Sequence, residues 1–90
     1  MVIIDVRTQE EYATGYYGDA ILIPYDIIED EIHKHVPNKQ TEILVYCRAG
    51  RRSKIAMDAL IELGYDNVHD GGSLSDMEGN GYENNNSSNP

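Results

Sequence analysis

Residues 2–4 (VII), 20–23 (AILI) and 42–46 (EILVY) constrain this chain most. Each run is short, and each sets apolar residues on successive positions. Such runs suit strands covered on both faces, as in a parallel sheet. Helical spacing fills the gaps between them. Thr8 with Glu11 three residues on has the form of a capping box, and the short helix it starts should end at Gly15. A second helix is expected over residues 25–36. Ile28, Ile32 and either His35 or Val36 share its apolar face, and Pro37 stops it. A third is expected over residues 53–63, with Ile55, Ala56, Ala59, Leu60 and Leu63 as its stripe and Gly64 as its C-cap. Residues 67–69 read as a fourth strand, residues 71–73 as a flexible loop, and residues 74–77 as one helical turn. Strand and helix alternate throughout, which argues for an α/β domain built on a parallel sheet.

Ninety residues make one small domain with a modest core. The last stretch, GNGYENNNSSNP, cannot bury enough apolar surface to offset its ordering entropy. The expected division is a folded unit over residues 1–78 and a disordered polar tail over residues 79–90. The formal net charge is −9, which argues against a nucleic-acid partner and against an anionic membrane surface. One cysteine excludes an internal disulfide. No apolar run is long enough to span a bilayer. No basic segment followed by an apolar stretch opens the chain, so no signal peptide is expected. A cytoplasmic location is the expectation, or a periplasmic one if a leader has been removed.

Against this acidic background, VYCRAGRRS at residues 45–53 gathers three of the seven basic residues around the single cysteine. Cys47 ends the third strand and precedes a helix. In open α/β sheets ligands sit beyond the carboxyl ends of strands. A thiol is nucleophilic as its thiolate, and a helix N-terminus or a nearby guanidinium lowers its pKa. Ala49 and Gly50 are small enough for a tight curl that turns successive N–H groups inward as an anion nest. A lone cysteine after an apolar strand is most often a core residue, and arginines alone are often a solvated run. Strand, cysteine, small-residue turn, arginines and helix together point instead to a reactive thiol. His33 and His35 are two apart on a helix and point to different sides, and His69 is alone, so no metal site is expected. Seven tyrosines, with no Phe or Trp, supply the aromatic core, and Tyr46 and Tyr65 read as packing residues. Asp5 reads as a structural cap rather than a general base.

Three stretches give the chain a family resemblance. Ile4-Asp5-Val6-Arg7 with Glu10-Glu11-Tyr12 resembles the "DVR…EY" opening of rhodanese-like domains, the sulfurtransferase family. GYYGDAILIP at residues 15–24 resembles the family's "GHIpGA…IP" segment. CRAGRRS at residues 47–53 resembles its active-site loop, and Leu63-Gly64-Tyr65 with Gly71-Gly72 resembles its closing part. The single-domain form is the nearest. The resemblance implies a three-layer α/β domain whose central parallel sheet has about four to five strands. It also implies the chemistry. Cys47 is the catalytic nucleophile and takes a sulfane sulfur from thiosulfate or a similar small anionic donor. It passes that sulfur to cyanide or a thiol through a persulfide, with neither metal nor organic cofactor. Arg48, Ala49, Gly50, Arg51 and Arg52 are the substrate-binding loop. Their amides hold the persulfide anion, and Arg48 and Arg51 attract the donor. Arg52 closes the loop by pairing with Asp5 or Glu11. A monomer without nucleic-acid or membrane partners is expected.

The chain departs from the family pattern at Tyr16, where the family has His, and at Gly18-Asp19-Ala20. Met77 stands where an aromatic is common. The strand and helix that precede "DVR" in longer members are missing, so the sheet is expected to be one strand short. Two other functions compete. Cys-dependent phosphatases and arsenate reductases place Arg after Cys and five residues, whereas Ser53 stands there in this chain and Arg52 comes one earlier. A persulfide carrier serving a dedicated partner would share the same loop.

Overall fold

Successive apolar residues do become parallel strands, and the central one of them is buried along its whole length. The computed structural model describes residues 1–79 and the backbone of Asn84–Asn85. The rest of the polar segment for which disorder is expected lies outside the described residues. In chain order the elements are β1 (Val2–Asp5), α1 (Gln9–Ala13), β2 (Tyr16–Tyr17), β3 (Ile21–Leu22), α2 (Ile28–His35), β4 (Ile43–Cys47), α3 (Arg51–Glu62), β5 (Val68–Ser73), α4 (Leu74–Gly79) and β6 (Asn84–Asn85). Strands β3, β1, β4 and β5 pair in that order as one parallel sheet. Every residue of β4 is buried. Alternate residues of β4 feed different layers, as the two-residue period of a strand requires. Ile43, Val45 and Cys47 pack with Ile28 and Ile32 of α2 and with Ala56 and Leu60 of α3. Leu44 and Tyr46 face the other way, onto Tyr17, Ala20 and Met77.

The strand order places the site. From β1 the chain moves to β3 on one side, and from β4 it moves to β5 on the other. The connections therefore diverge between β1 and β4, and a crevice opens at the carboxyl ends of such a pair. Asp5 ends β1 there and Cys47 ends β4. Among the described residues no helix is long and apolar enough to cross a membrane.

Several boundaries differ from the sequence expectation. Helix α2 begins at Ile28, because Pro24 and Ile27 first close a turn in which Ile27 N–H donates to Pro24 O at 3.1 Å. Val36, not His35, completes its buried face. Helix α3 begins two residues early, at Arg51. Gly50 sits at φ +92°, a left-handed conformation open to glycine, and turns the chain straight into the helix. Arg51 and Arg52 thus belong to the first helical turn. The buried face of α3 is Ser53, Ala56 and Leu60, whereas Ile55 is 41 % exposed.

The expected loop at residues 71–73 is instead the end of β5. Val45 pairs with Asp70 and Cys47 pairs with Ser73, so β5 carries one residue more than β4 between these pairs. That is a β-bulge, and Gly72 at φ +78° accommodates it. A side chain at Gly71 beside it would force the buried Met77 to move, since a Cβ there would lie 2.5 Å from Met77 Sδ and 3.2 Å from Val45 O. The β2–β6 pair, Tyr16 with Asn85 and Tyr17 with Asn84, was not foreseen, because two-residue strands show no period.

Candidate active site

The site begins with two chain turns set side by side. After β1, Asp5 Oδ1 accepts the Arg7 N–H at 3.0 Å, which bends the chain toward α1. The same carboxylate takes the Arg7 guanidinium in a fork, with Nε at 2.9 Å and Nη2 at 2.7 Å, and the remaining reach of Nη2 goes to Gly15 O at 2.7 Å. Tyr46 on β4 joins them. Its hydroxyl donates to Asp5 Oδ2 at 2.9 Å and accepts the Tyr17 N–H at 2.8 Å. Burial is the main reason the Tyr46 hydroxyl titrates far above the usual tyrosine range, and the Asp5 charge adds to it. Tyr46 is therefore more than a packing residue: it couples β1, β4 and β2. Tyr65 has a similar second role, donating to Val36 O at 2.5 Å at the end of α2.

After β4 the chain curls around Cys47. The residue has no exposed surface. Its Sγ receives the Gly50 N–H at 2.8 Å and the Ser53 N–H at 3.4 Å. Burial of the sulfur raises the thiol pKa. Hydrogen bonds from the Ser53 hydroxyl and from the Ser53, Gly50 and Ala49 N–H groups outweigh it, and the net shift is downward. The Ser53 hydroxyl itself donates to Gly50 O at 3.0 Å. Of the expected sources, the inward-turned loop amides are the ones in contact with the sulfur. The principal groups that lower the thiol are loop amides and a serine, while Arg48 and Arg51 are exposed.

Arg52 is not free. Its guanidinium grips Glu11 in a fork, Nη1 to Oε1 at 2.8 Å and Nη2 to Oε2 at 3.0 Å. Of the two partners foreseen for it, Glu11 holds it and Asp5 is occupied by Arg7. The Arg52 fork is the first cause that holds Glu11 down to about 2. Glu11 also closes the capping box of α1, where Thr8 N–H donates to Glu11 Oε1 at 3.0 Å and Glu11 N–H donates to Thr8 Oγ1 at 3.2 Å. One carboxylate thus ties the start of α1 to the start of α3. Ser53 was missing from the candidate residues. Its position in the first turn after Gly50, three residues on, was the available signal.

Known proteins bear on this geometry. The family profile of the rhodanese-like domain matches residues 1–73. The chain belongs to the rhodanese-like domain family. It is 40% identical over 74 residues to thiosulfate sulfurtransferase PspE of Escherichia coli, covering 82% of this chain and 71% of that one. Among solved structures, a rhodanese with anions from E. coli matches with a TM-score of 0.81 at 40% identity, over 83% of this chain and 88% of that one. A thiosulfate sulfurtransferase from Pseudomonas aeruginosa matches with a TM-score of 0.84 at 31% identity, over 94% of this chain but 16% of that one. The rhodanese-like fold therefore accounts for the parallel sheet and for a loop that wraps the end of β4.

Proposed function

We propose that this rhodanese-like domain is a sulfurtransferase that works through a persulfide on Cys47. The observation that carries the reading is the convergence of the Gly50 and Ser53 N–H groups on a buried sulfur whose pKa is lowered. Similarity to thiosulfate sulfurtransferases supports thiosulfate as a donor. The Cys47 thiolate attacks the outer sulfur of thiosulfate. The bond between the two donor sulfurs breaks, sulfite leaves with the electron pair, and Cys47 holds the sulfane sulfur. A thiol or cyanide then removes it. The amides of Ala49, Gly50 and Ser53 oppose the negative charge on sulfur in both steps, as an oxyanion site does for oxygen. Arg48 and Arg51, exposed beside the loop, draw in the donor dianion. Arg52 acts through Glu11 as a brace.

The brace also argues against phosphate chemistry. A guanidinium committed to Glu11 is not available to cradle a tetrahedral oxyanion. The deciding experiment is intact mass after brief exposure to thiosulfate, beside a Cys47→Ser control. A gain of one sulfur on the wild type alone, removed by cyanide, is the expected result. A wild-type chain that gains no sulfur while Cys47 still alkylates overturns the thiosulfate assignment.

A further inference from the structure

Helix α1 is five residues long and buries none of them. A helix that short gains little from its own turns, and helices in proteins are held mostly by burying an apolar face. The bonds of α1 converge instead on one residue. Glu11 N–H donates to Thr8 Oγ1 at 3.2 Å, and Glu11 O accepts the Thr14 hydroxyl at 2.6 Å and the Thr14 N–H at 3.1 Å. The Tyr12 hydroxyl ties the helix to Ala20 O at 2.7 Å. The Glu11 carboxylate takes two donors from Arg52, one on each oxygen. It takes two more from Thr8, and both fall on Oε1: the N–H at 3.0 Å and the hydroxyl at 3.2 Å. Oε1 is also the atom that receives Arg52 Nη1 at 2.8 Å. Thr8 therefore fixes the oxygen on which Arg52 closes.

We propose that Thr8 is a positioning residue for the Cys47 loop, acting through Glu11 and Arg52, with α1 as the mount that holds Glu11 in place. The inference deepens the sulfurtransferase reading, on which its rate measurement rests. Three links lead to the sulfur. Thr8 orients Glu11, Glu11 grips Arg52, and Arg52 stands in the chain between Gly50 and Ser53, whose N–H groups meet Sγ. Thr8 itself is exposed and lies outside the loop. A Glu11 side chain released from Thr8 regains rotamer freedom, and Arg52 then closes on a target that moves. A shift of about 1 Å in groups that hold reacting atoms is enough to slow a reaction. The Thr8 hydroxyl has two uses, accepting the Glu11 N–H and donating to Glu11 Oε1. Substitution separates them. Thr8→Asp keeps an N-cap acceptor but loses the donor and sets a second negative charge beside Glu11. Thr8→Ser keeps both uses.

Persulfide formation with thiosulfate is timed by intact mass in wild type, Thr8→Asp, Thr8→Ser, Glu11→Ala and the double variant Thr8→Asp with Glu11→Ala. Thr8→Asp should load sulfur roughly three- to five-fold more slowly than wild type, and Thr8→Ser should restore the rate. In the Glu11→Ala background, Thr8→Asp should slow nothing further, because effects that run through one residue do not add. A residue that only caps α1 gives a different result. Thr8→Asp then loads at the wild-type rate, or slows the Glu11→Ala chain by the same factor as the wild type, and either outcome overturns the proposal. A second readout needs no sulfur chemistry. Amide chemical shifts of Gly50 and Ser53 should move in Thr8→Asp relative to wild type, and should not move when the same substitution is made in Glu11→Ala. Unmoved shifts in the first comparison, or equal shifts in both, also overturn the proposal. A wild-type chain that takes up no sulfur, with Gly50 and Ser53 shifts that depend on Glu11 in this way, would sink the sulfurtransferase reading and leave the Thr8 relay standing.

Discussion

Two arginine–carboxylate forks flank the crevice, and they do different work. Asp5 is wholly buried and Arg7 is 4 % exposed, and their partners include Tyr46 and Gly15 O. Arg52 and Glu11 are each 22 % exposed in their side chains and join two helix starts. The first fork is set two residues apart in the chain and holds the sheet end to the β2 region. The second spans 41 positions and holds the loop to α1. Similar pairs of groups therefore hold the sheet end in one place and the Cys47 loop in the other. Burial sets them apart. A buried charge that loses its partner is stranded without water, whereas a half-exposed one can be rehydrated.

The largest expected effect breaks the first fork. Asp5→Ala strands the Arg7 guanidinium and should cost about 3–5 kcal/mol, read by urea unfolding. That is a large share of the stability of a domain this small. A loss no larger than that of Glu11→Gln would mean that the two forks are equivalent after all. Tyr46→Phe is milder. It leaves the Tyr17 N–H without its acceptor and removes a donor from Asp5, for about 1–3 kcal/mol. Sulfur loading on Cys47 should persist in that variant.

The second fork should give the opposite pattern. Glu11→Gln should cost less in unfolding than Asp5→Ala, about 1–3 kcal/mol, but slow persulfide formation on the order of ten-fold, because the loop loses its fixed position. A variant that loads sulfur at the wild-type rate would reduce the fork to a surface ornament. Acid sharpens the same contrast. The folded pKa of Glu11 is held at about 2, below its ordinary value of 4.5. The stability it contributes is therefore complete above pH 4.5 and drains away as pH falls toward 2. The stability gap between wild type and Glu11→Gln should be constant at neutral pH and close across that interval. The smallest effect is Ser53→Ala. Removing the hydroxyl takes away the largest of the groups that lower the Cys47 thiol, so the midpoint of its alkylation profile should move up.

The sequence made the sheet readable because its strands are short apolar runs that alternate with helical spacing, the order expected of a parallel sheet. The capping box at Thr8 and Glu11 was readable for the same local reason. The second use of Glu11 was half readable. An acidic partner for Arg52 followed from the loop, but the choice between Asp5 and Glu11 depends on which carboxylate Arg7 takes first. Gly71 and Gly72 looked like a loop because glycine is weak in strands. A side chain at Gly71 would meet Met77, Leu44 and Val45 O, and one at Gly72 would meet Asp76, so the need for glycine there depends on residues distant in the chain for Gly71 and on the following helix for Gly72. Ser53 was overlooked because its importance depends on where α3 starts, and the left-handed Gly50 moved that start by two residues.

Cys47 offers one more use. It is the chain's sole cysteine and has no exposed surface, and its nearest donors come from the next six residues. Alkylation by a reagent too bulky for the loop can occur only when the loop opens. The rate of that labelling therefore reports local opening free energy directly, without an engineered probe. Comparing it with global unfolding would reveal whether the loop breathes on its own or only when the whole domain comes apart.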